Sequence, residues 1–246
     1  MTINSRMISP FPEYGNIALQ FSGGKDSLAV AYLLRPYWDR ITLYHVDAGD
    51  LLPEVREIVD SVAAMVPRFV RIDSDSQAWA SANGLPSDLV PCTGTLPGVL
   101  MGGKTRISAR YECCGHNLWI PMHARMVADG VTLAIRGTKT CDMAKLPAVS
   151  GDQTLGYELW LPLQEWSHAD VFAYLREVGA PICRVYENNV NAPECATCSA
   201  WWSEGRAGYL AKYHPELSAA YQAKLGVVAR EVFPLMASLN AELRAV

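Results

Sequence analysis

The chain predicts a doubly wound parallel α/β sheet with a helical C-terminal extension, and three observations carry that expectation. Apolar runs rich in β-branched residues recur at Ile17-Ala18-Leu19-Gln20-Phe21, Ile41-Thr42-Leu43-Tyr44-His45-Val46, Phe69-Val70-Arg71-Ile72 and Val131-Thr132-Leu133-Ala134-Ile135-Arg136. Helix-like runs separate them, at Ser27 to Leu34, Pro53 to about Val66 and Asn117 to Asp129. Strands alternating with helices in this order build a parallel sheet. From Arg206 onward the pattern is helical, broken at Pro215 and Pro234, so the expected division is 1–205 and 206–246.

Composition narrows the class. The 246 residues are 50% hydrophobic and 19% charged, which describes a folded globule rather than a disordered tail. A formal net charge of -4 supplies no global basic field for nucleic acid, so any such partner needs a local patch. No apolar run approaches a membrane span, and Met1 to Ser9 lacks a signal-peptide core, so the expected location is cytoplasmic. Seven cysteines in a reducing compartment call for a role other than a disulfide framework.

The first strand leads into Ser22-Gly23-Gly24-Lys25-Asp26-Ser27. A strand that breaks at paired glycines and re-enters a helix presents several backbone N–H groups to one point, where the helix N-terminus and Lys25 add positive charge. Gly23 and Gly24 suit close approach of a ligand to the backbone, and Ser22 and Ser27 can donate to the same oxygens. This is an anion cradle suited to phosphate. The second strand ends at Asp47-Ala48-Gly49-Asp50, placing a carboxylate where open parallel sheets bind ligands.

Ser22 to Ser27 resembles the PP-loop of the adenine-nucleotide alpha-hydrolase superfamily, whose members typically cut ATP between the α and β phosphates and which includes the phosphoadenylyl-sulfate (PAPS) reductase family. The resemblance spans roughly residues 15 to 215. It implies a Rossmann-like domain in which Asp47 and Gly49 lie near the adenosine and its ribose. Gly137-Thr138-Lys139 resembles the family's phosphate- or sulfate-facing segment, with Lys139 where arginine is usual and therefore without arginine's bidentate fork. Pro162-Leu163 with Trp166-Ser167-His168-Ala169-Asp170-Val171 resembles another segment of these proteins. There Ser167 reads as a helix cap, and Trp166 and His168 as packing and surface residues.

Residues 84 to 111 show no clear period and read as a long loop or lid. Within them Gly98-Val99-Leu100-Met101-Gly102-Gly103-Lys104-Thr105 matches the Walker A pattern, but Pro91 to Pro97 cannot form the central strand that motif requires. Lys104, Arg106 and Arg110 are the expected basic patch for an anionic substrate or a nucleic-acid acceptor.

Cys113-Cys114 and Cys195-Ala196-Thr197-Cys198 stand about 80 residues apart. A Cys-Xaa-Xaa-Cys alone fits redox, zinc or cluster chemistry. Neighbouring cysteines chelate a single tetrahedral zinc awkwardly, whereas a cubane offers each thiolate a different iron. The quartet also resembles that of the iron–sulfur adenylyl-sulfate (APS) reductases, so a 4Fe-4S cluster is the expected group, with Zn²⁺ as the alternative. Cys92, Cys141 and Cys183 read as small buried residues, Cys141 standing close after the phosphate segment.

Two departures bear on the reaction. The C-terminal stretch Phe233 to Val246 lacks the nucleophilic cysteine with which such reductases finish, and the loop is intact and keeps Lys25. The expected activity is therefore an iron–sulfur ATP pyrophosphatase that adenylylates an acceptor for sulfur transfer, with Lys25 and Asp26 catalytic and ATP and Mg²⁺ as cofactors. An APS/PAPS reductase using Cys92, Cys141 or Cys183 as a relocated nucleophile, or a non-catalytic nucleotide-sensing module, is the alternative. The sulfur donor and acceptor are not readable from the sequence, and a homo-oligomer is compatible with it.

Overall fold

A computed structural model describes residues 14–143, 147–154, 156–187, 189, 194–202 and 205–245. Met1 to Ser9, on which the absence of a leader was read, lies outside them. No helix among the described residues is long and apolar enough to cross a membrane. The chain forms two compact units, Met1–Val46, Pro53–Ile72 and Pro121–Val190 in the first, and Asp47–Leu52, Asp73–Ile120 and Asn191–Val246 in the second.

The first unit is the sheet. Its elements are β1 (Asn16–Gln20), α1 (Lys25–Leu33), β2 (Ile41–Asp47), α2 (Pro53–Met65), β3 (Phe69–Asp73), α6 (Ile120–Ala128), β6 (Val131–Ile135), β7 (Gln153–Thr154), β8 (Tyr157–Trp160) and α7 (His168–Glu177). The strand order is β3-β2-β1-β6-β8-β7. β1 pairs in parallel with both β2 and β6, β6 pairs in parallel with β8, and the short edge strand β7 is antiparallel. Parallel strands covered on both faces must be apolar throughout, and Ile17, Ala18 and Leu19 of β1 and Leu133, Ala134 and Ile135 of β6 are all buried.

Strand residues Ala18, Tyr44, Val131, Ala134, Tyr157 and Leu159 form a single buried cluster with Met126 of α6. Tyr44 donates to Asp129 Oδ2 at 2.9 Å, and burial together with that bond pushes its phenol up to about 12. The chain leaves β1 toward β2 on one side and reaches β6 on the other. The strand order therefore reverses between β1 and β6, and in doubly wound sheets the crevice at the carboxyl ends of such strands is where ligands bind.

The second unit contains α3 (Ser76–Asn83), β4 (Leu85–Ser87), α4 (Leu96–Leu100), β5 (Ile107–Ala109), α5 (Arg110–Cys114), α8 (Arg206–Tyr213) and α9 (Pro215–Arg244). The expectation of a structureless loop over 84 to 111 is corrected here. β4 and β5 pair in parallel, and α4 lies between them. These elements are three to five residues long, too short for a hydrophobic period to register.

The Walker-like string lies on α4 and the turn after it. A Cβ on Gly98 would meet Cys92 O, and one on Gly103 would meet Thr93 O, so these glycines serve tight chain-on-chain packing. Pro215 opens α9 at its first turn, where its missing N–H is not needed. Pro234 does not break α9, contrary to the expected interruption. The helix runs through it, although proline supplies no N–H for the bond to the carbonyl of Arg230.

Candidate nucleotide and metal sites

The nucleotide candidate is built on the turn between β1 and α1. Gly23 adopts φ 82°, and a Cβ there would stand 2.7 Å from Val59 Cγ2, so both the turn and the packing of α2 require glycine. The Ser22 hydroxyl lies 3.1 Å from that of Ser27 and accepts from Gly24 N–H, while Ser27 Oγ accepts from Ser22 N–H and donates to Gly24 O. The two serines brace the loop. Gly24 is the N-cap of α1 and offers no side chain to it, and Lys25 N–H donates to the Tyr186 hydroxyl at 2.8 Å.

Two ammonium groups meet at one carboxylate here. Lys25 is 2% exposed and its Nζ lies 2.9 Å from Asp26 Oδ2. Lys139 is fully buried at 0%, and its Nζ lies 2.6 Å from Asp26 Oδ1 and 2.8 Å from Asp142 Oδ1. Burial alone would pull the Lys139 amine down. Its bonds to Asp142 and Asp26 and their charges outweigh burial and hold it above its ordinary value, so it stays an ammonium.

Gly137 explains how Lys139 reaches the loop. A Cβ there would lie 2.7 Å from the Asp26 carbonyl carbon and 2.9 Å from Ser27 N, so only glycine lets the segment after β6 lie against the start of α1. The structure thus brings Ser22, Gly23, Gly24, Lys25, Asp26, Ser27, Gly137 and Lys139 together. Asp142 and Tyr186 were not singled out from sequence. The signal for Asp142 was its place three residues after Lys139, where its carboxylate also accepts Lys139 N–H at 2.9 Å. Tyr186, 161 residues from Lys25, carried none.

Asp47 and Gly49 belong to the second unit. Asp47 Oδ1 accepts Gly49 N–H at 3.0 Å, Gly49 has φ 78°, and Asp47 O accepts Ser74 N–H at 2.8 Å. The geometry is a side-chain-closed turn at the end of β2.

The metal candidate lies wholly in the second unit. Cys113 and Cys114 end α5, and a wider π turn, Gly115–Trp119, follows them. Such turns are rare and frequently accompany functional sites. Asn117 donates to Cys113 O at 3.0 Å and lies 3.6 Å from its sulfur, while Ser74 donates to Asn117 Oδ1 and fixes the amide.

The Cys195–Cys198 turn is anchored by Asp50. Its carboxylate accepts Thr197 N–H at 3.0 Å and Thr197 Oγ1 at 2.8 Å, and its carbonyl accepts Ala196 N–H at 2.6 Å. Buried Arg206 donates to the carbonyls of Cys198 and Ala200. Asp50 and Arg206 escaped the sequence reading because their partners lie in an irregular loop without period.

The thiols of this quartet sense one another. Burial, followed by the neighbouring Cys198, pushes Cys113 up to about 11 and Cys114 up to about 12. Cys195 is raised well above its ordinary value, with burial first and Cys198 next among the causes. Cys198 opposes the ionisation of Cys113, Cys114 and Cys195, an opposition that a multiply charged cation bound to these thiols would relieve. The residues present therefore fit a thiolate-bound metal group.

Of the other cysteines, Cys183 is buried as expected, but Cys92 and Cys141 are exposed. Each of these two lies in a short 3₁₀ turn on the surface, not in a packed element. Within the expected basic patch, Arg110 is engaged, with NH1 3.1 Å from Asp88 and its guanidinium 3.5 Å from the Trp201 ring centre. Arg106 donates to Ala82 O, and Lys104 is exposed.

No family model matches the chain. Two curated relatives are adenosine 5'-phosphosulfate reductases. The one from Allochromatium vinosum is 23% identical over 192 residues, covering 76% of this chain and 69% of the relative. The one from Neisseria meningitidis serogroup B is 22% identical over 184 residues, covering 68% and 69%. Among solved structures, PAPS reductase from Candida auris, as its phosphate complex, superposes with TM-score 0.55 at 16% identity, covering 76% of this chain and 84% of that one. The strand–loop–helix at the sheet's reversal point belongs to a fold similar to that of PAPS reductase. In sequence the chain is similar to APS reductases.

Proposed function

We propose that this chain binds ATP over the PP-loop, cleaves it between the α and β phosphates, and so adenylylates an acceptor for sulfur transfer. The observation that carries the reading is the pair of buried ammonium groups, Lys25 and Lys139, converging on the single Asp26 carboxylate at the loop. A carboxylate held between two buried cations at a helix N-terminus marks an anion site filled by the protein's own side chain. Phosphate oxygens carry more charge and compete for the same lysines. Lys25 and Lys139 would then neutralise charge on departing pyrophosphate, a preorganised electrostatic contribution that needs no covalent intermediate on the chain. Asp26, released from the lysines, is the carboxylate available to Mg²⁺.

Cys113, Cys114, Cys195 and Cys198 would hold a 4Fe-4S cluster, with Zn²⁺ as the alternative occupant. Such a cluster supplies either a place to position sulfur or a staple for the loop that carries it. A nucleic-acid acceptor would meet Lys104 and Arg106, because Arg110 is already paired.

The relatives' names favour a second reading, reduction of APS or PAPS to sulfite. Among the three cysteines outside the quartet, Cys183 suits that reading poorly, since it is buried and its thiol is raised by that burial, whereas Cys92 and Cys141 are exposed and suit it better. Parallel assays decide between the two. Release of AMP and pyrophosphate from ATP supports the first, and sulfite from APS or PAPS with a thiol reductant supports the second.

A further inference from the structure

One group of chemically active side chains in the first unit lies apart from the quartet and touches the lysine pair only through Asp142. Cys141 and Asp142 lie in the turn after Lys139, and His168 is the first residue of α7. One donor atom from each lies within 4.8 Å of the other two, and His168 Nε2 is 4.0 Å from Asp142 Oδ1. We propose that Cys141, Asp142 and His168 form a second metal site, separate from the cysteine quartet, for a borderline divalent ion such as Zn²⁺.

The donor set argues for that class of ion. Sulfur, imidazole nitrogen and carboxylate oxygen together suit zinc, whereas Mg²⁺ and Ca²⁺ favour oxygen throughout. Tetrahedral zinc with bonds of about 2.0–2.3 Å holds its donors roughly 3.3–3.8 Å apart. The three groups therefore need to close by about 1 Å; Asp142 is held by Lys139, so the closure falls to the exposed Cys141, which gives up its bond to Trp166 O, and to the His168 ring.

The surroundings agree. Asp142 is oriented by Lys139 through both its backbone N–H and its ammonium, the kind of outer contact that metal-ligating carboxylates carry. His168 is fixed at the helix start by the Ser167–Asp170 capping box. Its buried Nδ1 has no hydrogen-bond partner among the described residues, so the ring is not committed elsewhere. Lys25, Lys139, Asp26 and Asp142 cancel in formal charge, and a Cys141 thiolate adds the negative charge that a dication would meet. Three protein ligands leave a fourth position for water or an anion's oxygen, as in zinc sites that bind substrate.

The site stands or falls independently of the reaction proposed above. Anaerobically purified, cluster-loaded full-length protein is titrated with Co²⁺ as the probe. One equivalent should bind with a thiolate-to-cobalt charge-transfer band, and Cys141→Ser should lose that band and weaken binding by more than about tenfold. In the unaltered protein, Zn²⁺ should slow alkylation of Cys141 by iodoacetamide, followed by peptide mass spectrometry. Equal Co²⁺ affinity and spectrum in Cys141→Ser, or alkylation of Cys141 indifferent to Zn²⁺, would overturn the proposal.

Discussion

At the scale of single residues, the account turns on Lys25, Asp26 and Lys139. Lys25 was legible because it sits inside a compact motif; Asp142 offered only its place three residues after Lys139, and nothing near Tyr186 advertises a partner on the loop. Lys25→Ala should lower nucleotide turnover by roughly 10²-fold, the usual loss for one preorganised donor, with the circular dichroism spectrum unchanged. Lys139→Ala should lower turnover similarly and also destabilise the fold, since it strands Asp26 and Asp142 without their shared cation. A Lys139→Ala variant as stable as the parent would show that the pair carries no structural load. The pH sign follows from the raised Lys139 amine. Its contribution to stability is fully present below the unfolded value near 10.4 and is lost as pH rises through the higher folded value. Thermal melts should therefore show no Lys139-dependent change across neutral pH and a Lys139-dependent decline only in strong alkali.

At the scale of elements, long periodic segments could be read and short ones could not. β1, β2 and β6 carry buried apolar runs, and α7 carries a capping box, so each announced itself. β4, β5 and α4 are stabilised by close backbone approach at Gly84, Gly98 and Gly103, information that pairwise spacing does not contain. Gly137→Ala would force a methyl against the Asp26 carbonyl and displace the loop. Nucleotide affinity should fall by about tenfold or more, measured by calorimetry, while the sheet stays folded. The Cys195–Cys198 turn is held by Asp50, so Asp50→Ala and Cys198→Ser should both lose iron and lower the melting temperature. Cys92→Ser, at an exposed position, should do neither. Iron retained at full occupancy in Cys198→Ser would remove that residue from the metal site.

At the scale of the whole molecule, the sheet's strand order explains why a hexapeptide near the N-terminus could be assigned at all. β1 lies centrally, the order reverses beside it, and the loop that follows it falls where a parallel sheet leaves a crevice. The class of fold was therefore readable from alternation and one motif. The Cys141, Asp142 and His168 group was not, because it depends on the turn after β6 meeting the start of α7. The most direct test of the central claim is product analysis. Cluster-loaded protein is incubated anaerobically with ATP, Mg²⁺ and candidate acceptors, and the nucleotides are resolved by chromatography. The account predicts AMP and pyrophosphate, both lost in Lys25→Ala. Release of ADP and phosphate alone, or sulfite from APS with ATP left untouched, would contradict it.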